Sequence, residues 1–182
     1  MAKVNTKEER IEARLVLKAQ LGDRQALGKL LERIQGRLMA FLCHRLGARA
    51  DAEDCAQVVL IQICRRLTSL REPLAFRPWM FRIASNQATK LYRSNRRELE
   101  LLDEDAALLT APEPDALPFE ECLPTLHKRL EQLPANCSQV LFLHYMEGLS
   151  LLEISKVLDR PLGTIKSRLA YGLAKLRIQL KR

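Results

Sequence analysis

An all-α protein made of two small helical bodies is expected from three features of the chain. Leu, Ala, Arg, Glu and Gln abound, aromatic residues reach only 5%, and β-branched runs are scarce. Summed over whole segments, that mixture favours helix over strand. Apolar residues recur at helical spacing in two long stretches. Between them lies a proline-bearing strip, Glu98–Pro124, with nine acidic side chains up to Glu121 and no basic one. A length of 182 residues fits one large domain or two small ones. The expected division is a first body over 1–97, an acidic linker over 98–124 and a second body over 125–182.

The first helix is expected over Lys7–Leu21, stopping at Gly22. Asp23 is a natural N-cap for the second, whose Leu27, Leu30, Leu31, Ile34, Leu38, Phe41 and Leu42 keep helical spacing until Gly47. The third is expected to open at Asp51 as its cap, with Glu53 and Asp54 favourable at the positive end of the helix dipole, and to reach about Leu67. Thr68–Arg77, carrying Pro73, reads as a loop. Pro78 suits the first turn of a fourth helix that runs to about Arg97. In the acidic strip, Pro112, Pro114, Pro118 and Pro124 favour an extended linker, with Leu99–Leu109 able to form a frayed helix. In the second body Pro134 opens a helix over Ala135–Glu147, closed by Gly148. No internal repeat is visible.

The formal net charge is +8. Because the acidic strip contributes only negative charge, the two flanking bodies together are about twice as positive as the whole chain, the electrostatic footprint of a polyanion binder. The opening MAKVNTKEERIEARL is charged and lacks the apolar segment of a secretory signal. No uncharged apolar run approaches the roughly 18 residues of a membrane span. The five cysteines, Cys43, Cys55, Cys64, Cys122 and Cys137, are odd in number and mostly lie in apolar helical pattern. Free buried thiols in a reducing cytoplasm are therefore expected.

The most specific local signal lies in the second body. Ser150 and Glu153 have the S-x-x-E spacing of a capping box, in which each side chain serves the other's backbone N–H. A short helix to Leu158 follows, burying Leu151 or Leu152, Ile154, Val157 and Leu158. Asp159–Gly163 makes a turn in which Pro161 rules out a continuous helix. Thr164 is expected to cap the next helix, where Ile165, Leu169, Leu173 and Leu176 form one apolar stripe. Lys166, Ser167, Arg168, Tyr171 and Lys175 fall outside that stripe. Short polar and cationic side chains near the start of the second helix of a helix-turn-helix are what major-groove reading requires.

The fourth helix, RPWMFRIASNQATKLYRSNRR, mixes aromatics with cations. Arg82, Asn86, Lys90, Arg93 and Arg97 recur at three- and four-residue intervals and so share a face, opposite Met80, Ile83, Ala84, Gln87 and Leu91. Cations that track a backbone, with an aromatic such as Trp79 available to stack on an unpaired base, are the ingredients of single-strand capture. Phe81 reads instead as core. In the third helix Val58, Val59, Leu60, Ile61, Ile63 and Cys64 point around almost the full circumference. A helix apolar all round is usually covered on more than one side. One of its faces is therefore expected to meet a partner, with Asp51, Glu53, Asp54 and Gln57 as the polar edge.

At these residues the chain resembles a bacterial alternative sigma factor of the extracytoplasmic-function (ECF) group, built from sigma domain two, a linker and sigma domain four. The resemblance rests on DAEDCAQ at Asp51–Gln57, WMFRIASN at Trp79–Asn86 and EGLSLLEISKVLDRPLGTIKSRL at Glu147–Leu169. It covers about Gly22–Arg97 and Leu130–Leu176. It implies a factor that binds core RNA polymerase and directs promoter-specific initiation. Asp51, Glu53, Asp54 and Gln57, with Val58 and Ile61 beside them, would dock on the β′ clamp helices, the β subunit being the other expected contact. Trp79, Arg82 and Asn86, continued by Lys90 and Arg93, would capture the unpaired minus-10 element. Lys166, Ser167, Arg168, Tyr171 and Lys175 would read the minus-35 element, and the acidic linker would thread toward the RNA exit channel. An anti-sigma factor, often membrane-bound in the family, is a further implied partner. The chain departs from the family's usual residues at Val58, Leu60, Gln62, Ser138, Ala170 and Tyr171.

Two other functions fit parts of the chain. A plain helix-turn-helix regulator would bind duplex DNA without polymerase, but has no use for an aromatic and basic helix in the first body. A zinc or redox site built from Cys122, His127, Cys137 and His144 lacks any CxxC pair and is interrupted by Pro124 and Pro134. No nucleophile–base–orienter set or Gly-rich phosphate loop is present, so neither an enzyme nor a bound cofactor or metal is expected.

Overall fold

The structure, a computed structural model, describes residues 6–96 and 133–180. Arg97 and the strip over 98–124, including its expected frayed helix and Cys122, lie outside the described residues, as does His127. Every regular element among them is helical, and the chain divides into two units, Met1–Leu101 and Leu102–Arg182.

In the first unit α1 is Thr6–Gln20, α2 Arg24–Leu46, α3 Arg49–Arg66 and α4 Phe76–Arg96. The Asp23 carboxylate accepts from the N–H groups of Gln25 and Ala26 at 2.9 and 3.0 Å, which starts α2 as expected. Gly47, at φ 75°, ends it and donates its N–H to the Cys43 carbonyl. α2 packs against the other three helices, and its Leu30, Ile34, Leu38, Phe41 and Leu42 are closed to solvent. They meet Val16 of α1, Val59 and Ile63 of α3, and Met80, Phe81 and Ala84 of α4 in one core. Each large side chain buried this way contributes about 1.5–3 kcal/mol. Phe81 is core as expected, its ring edge-on to Phe41 at 5.1 Å between centroids.

The start of α3, the loop after it and the start of α4 differ from expectation. α3 begins at Arg49, so Asp51 lies inside the first turn and is not its cap. Ala48 takes the cap position with no side-chain bond, its carbonyl accepting the Ala52 N–H. The expected loop Thr68–Arg77 contains two short 3-10 turns, Leu67–Ser69 and Pro73–Ala75, and α4 already begins at Phe76. Gln20 at the end of α1 holds the first of these turns by donating to the carbonyls of Leu67 and Leu70 at 2.8 and 2.7 Å.

In the second unit α5 is Ala135–Leu141, α6 Leu151–Leu158 and α7 Leu162–Leu180. The helix expected to run to Glu147 widens at Phe142–Met146 into a π turn, and Glu147 donates to the Phe142 carbonyl. His144 Nδ1 lies 2.8 Å from the Leu149 carbonyl, tying this turn to the entry of α6. The capping box is complete: Ser150 Oγ accepts from Glu153 N, and the Glu153 carboxylate accepts from Ser150 N at 2.8 Å. Asp159 ends α6 in the left-handed conformation at φ 52°, which Asp tolerates better than most residues. α7 starts two residues before Thr164, which is therefore not its cap; the Pro161 carbonyl accepts the Ile165 N–H instead. α5 and α7 cross closely at Gly172, where a Cβ would stand 2.7 Å from Leu141 Cδ1.

Candidate nucleic-acid interface

Three surfaces carry the residues singled out in the sequence. On α4, residues 79, 82, 86, 90 and 93 recur every three or four positions and so lie on one side of the helix. Arg82, Asn86, Lys90 and Arg93 are exposed, while Met80, Ile83 and Ala84 on the other side are buried. Trp79 sits at the start of this open face, half-buried, with its ring 6.1 Å from Phe76 and tilted by 39°. One flank of the helix is anchored by Thr89, whose hydroxyl donates to the Ser85 carbonyl and accepts from Arg45 of α2. Gln87 on the other side bonds Gln62 of α3.

Behind Trp79 is a group of charges that the sequence reading missed. Glu12 of α1 is almost fully buried and accepts from Arg77 Nε at 2.8 Å and Arg77 Nη2 at 3.2 Å. Arg37 of α2 donates to the same carboxylate, and Glu8 and Glu9 stand 3.4 and 4.0 Å from Arg77. Burial opposes ionisation of Glu12, but the hydrogen bonds and charge of Arg77 and Arg37 outweigh it and hold the carboxyl below its ordinary value. Arg77 is two residues from Trp79, so this network ties the first turn of α4 to α1 and α2. A signal was available: Glu12, Val16 and Gln20 are spaced by four and share the inner face of α1.

On α3, Val59 and Ile63 face the core, while Val58 and Ile61 are 39% and 51% exposed. Asp54 and Gln57 are exposed beside them and Asp51 is half-buried. Glu53 is also exposed and pairs with Arg49 one turn earlier, at 2.9 Å. The apolar circumference thus resolves into a buried side and an open side with an acidic edge.

On α7, Ile165, Leu169, Leu173 and Leu176 are buried, as their spacing implied. Lys166 and Lys175 are exposed, and the Lys175 ammonium lies 5.7 Å from the centre of the half-buried Tyr171 ring. Ser167 is half-buried and donates to the Thr164 carbonyl. Arg168, half-buried like Tyr171, lies three residues before it and seven before Lys175 and so shares their side of the helix. It also lies three residues after Ile165 and four before Gly172, so it borders the buried side, with its Nε closed to solvent. Its charge is felt at the Cys137 thiol. Ala170 is buried as well.

The thiols divide differently from expectation. Cys55 and Cys137 are buried, and burial pushes their pKa values up, to about 11 for Cys55. Cys43 is half-buried and Cys64 exposed. Among the described residues no group of three His, Cys, Asp or Glu is arranged to hold a metal ion, and no helix is long and apolar enough to cross a membrane.

Residues 30–98 match Sigma-70 region 2, and residues 124–176 match Sigma-70, region 4. The chain is 31% identical over 169 residues to the RNA polymerase sigma-H factor of Pseudomonas aeruginosa, covering 87% of this chain and 88% of the relative. It is 32% identical over 166 residues to the ECF RNA polymerase sigma-E factor of Escherichia coli K12, covering 85% and 86%. In fold it is similar to CnrH, solved in complex with the cytosolic domain of CnrY, with a TM-score of 0.60, 23% identity, and 94% and 97% of the two chains covered. It is also similar to the sigma factor RpoE of Bartonella quintana, solved with the anti-sigma factor NepR, with a TM-score of 0.63, 23% identity, and coverage of 85% and 96%. The chain belongs to the sigma-70 family of RNA polymerase factors, in its ECF branch.

Proposed function

We propose that this sigma factor docks on core RNA polymerase through the open side of α3 and reads promoter DNA in two parts. In this reading 1–97 is sigma domain two, 98–124 the linker and 125–182 sigma domain four. Asp51, Glu53, Asp54, Gln57, Val58 and Ile61 meet the β′ clamp helices, the apolar pair supplying buried area and the acids setting orientation. Trp79, Arg82, Asn86, Lys90 and Arg93 capture the minus-10 element. The exposed cations lie along the backbone and release counterions, while Trp79 offers a stacking surface to an unpaired base. Stacking of this kind contributes about 1–3 kcal/mol per base, comparable to the few kcal/mol needed to unstack it. Lys166, Ser167, Tyr171 and Lys175 read the minus-35 element. Arg168, at the border of the buried side, reaches DNA only through its outer guanidinium nitrogens.

The observation that carries this reading is the α4 face, where four exposed polar or cationic residues extend from a half-buried tryptophan. Duplex readout alone has no use for it. The protein acts in the cytoplasm with polymerase, and an anti-sigma factor holds it inactive by covering surfaces needed for core binding; membrane anchoring of that partner belongs to the same reading. Transcription with core enzyme on a randomised promoter library tests the whole proposal. Transcripts that depend on the protein and share two sequence elements are expected. Duplex binding without core binding or transcription would favour the plain helix-turn-helix regulator.

A further inference from the structure

The outer face of α1 is apolar and cationic at once, and none of the residues assigned above lies on it. Ile11, Leu17 and Leu74 are 38%, 50% and 64% exposed. With Ala13 they line a groove of about 470 Å³ between α1 and the Pro73–Ala75 turn. That size falls within the roughly 300–1,000 Å³ of ordinary binding clefts. The other lining residues are Lys7, Arg10 and Arg14, and no acid is among them. None of the three pairs with an acid among the described residues, whereas Arg37 and Arg77 on the inner side of the bundle do. Residues 7, 10, 11, 14 and 17 recur at helical spacing, so cations and apolar side chains alternate along one open stripe.

We propose that this groove is the docking site of an acidic amphipathic helix from a partner protein. An apolar floor with a cationic rim suits a helix whose leucine-type anchors at i, i+3 and i+7 enter the groove while carboxylates on its flanks meet Lys7, Arg10 and Arg14. Phosphate backbone would satisfy the cations but leave Ile11, Leu17 and Leu74 against a strongly hydrated surface. An anionic lipid surface offers the same two chemistries without a fixed anchor spacing, and the vesicle arm of the test separates the two. A second copy of the same groove would set like charges against each other.

The test uses the full chain and a synthetic helical peptide with Leu at i, i+3 and i+7 and Glu on both flanks. Methyl NMR shifts are followed at Ile11, Leu17 and Leu74. Saturable binding at these methyls is expected, weakened about tenfold by the double variant Arg10→Glu/Arg14→Glu and by Gln in place of Glu in the peptide. These are surface positions, so the double variant should unfold at the wild-type temperature and keep its core-dependent transcription. Shifts confined to other residues, or binding indifferent to charge reversal, would overturn the proposal. So would the same methyls answering to duplex DNA, to anionic phospholipid vesicles or to self-association instead of the peptide.

Discussion

Glu12→Gln keeps the shape of the side chain and removes its charge, which isolates what the buried carboxylate does. Removing one partner of a buried ion pair costs about 3–5 kcal/mol, because the other charge is left without compensation. Here the cost is reduced because Arg77 keeps Glu8 at 3.4 Å and Glu9 at 4.0 Å, and Arg37 is partly open to water. Both remaining acids are partly exposed, so they compensate incompletely, and a loss of about 2–3 kcal/mol is expected. That is a large share of the 5–15 kcal/mol typical of a domain. The chain has a single tryptophan, Trp79 of α4, so guanidinium unfolding followed by its fluorescence reports on the first unit alone. A loss below about 1 kcal/mol at pH 7 would refute the reasoning, since that is the scale of an exposed pair. In a Glu12→Leu background, Arg77→Met should recover part of the stability, because it removes the desolvation cost of the unpaired Arg77 while Arg37 stays partly solvated.

The same residue sets a pH dependence. The folded Glu12 carboxyl lies below its ordinary value, so its stabilisation is complete above the unfolded pKa and is lost as pH falls through the folded one. The stability gap between wild type and Glu12→Gln should therefore be constant near neutrality and narrow below about pH 4; a gap that widens in acid would contradict the assignment. Gly172→Val should destabilise the second unit by about 1–3 kcal/mol through overpacking against Leu141, read from the far-ultraviolet melt. Iodoacetamide at pH 8 should alkylate Cys64 readily and reach Cys55 and Cys137 only after unfolding, as peptide mass mapping can show. Val58→Asp with Ile61→Asp should weaken core-polymerase binding at least tenfold with an unchanged unfolding midpoint, because both side chains are exposed. Global unfolding of that variant would instead make them core residues.

Features written in local chemistry were legible. Asp23 before α2, Gly47 after it, and the Ser150–Glu153 pair each act within three or four residues, and the structure has all of them. The Ile165–Leu176 stripe was equally clear because a helix repeats its inner face every three or four positions. What periodicity gives is the centre of a buried face and not its width. Arg168 and Ala170 flank the stripe, and only the neighbouring helices determine how much of each is covered. Asp51 and Thr164 are good capping residues in the wrong place, since the backbone began both helices two residues earlier without them. The Glu12 network joins positions 25 and 65 residues apart, a distance across which local pattern carries no information. The π turn after Leu141 likewise has no single residue that announces it.

The central claim is that the open face of α4 captures an unpaired base once polymerase is bound. Permanganate reactivity of thymines in the minus-10 element tests it directly, on a promoter selected with the wild-type protein and core enzyme. Stacking worth about 1–3 kcal/mol corresponds to roughly a 5- to 150-fold change in equilibrium. Trp79→Ala should therefore lower the ratio of open to closed promoter at least fivefold while leaving core affinity and duplex minus-35 binding as they were. Opening at the wild-type level by Trp79→Ala, in complexes that still contain core enzyme, would contradict the account.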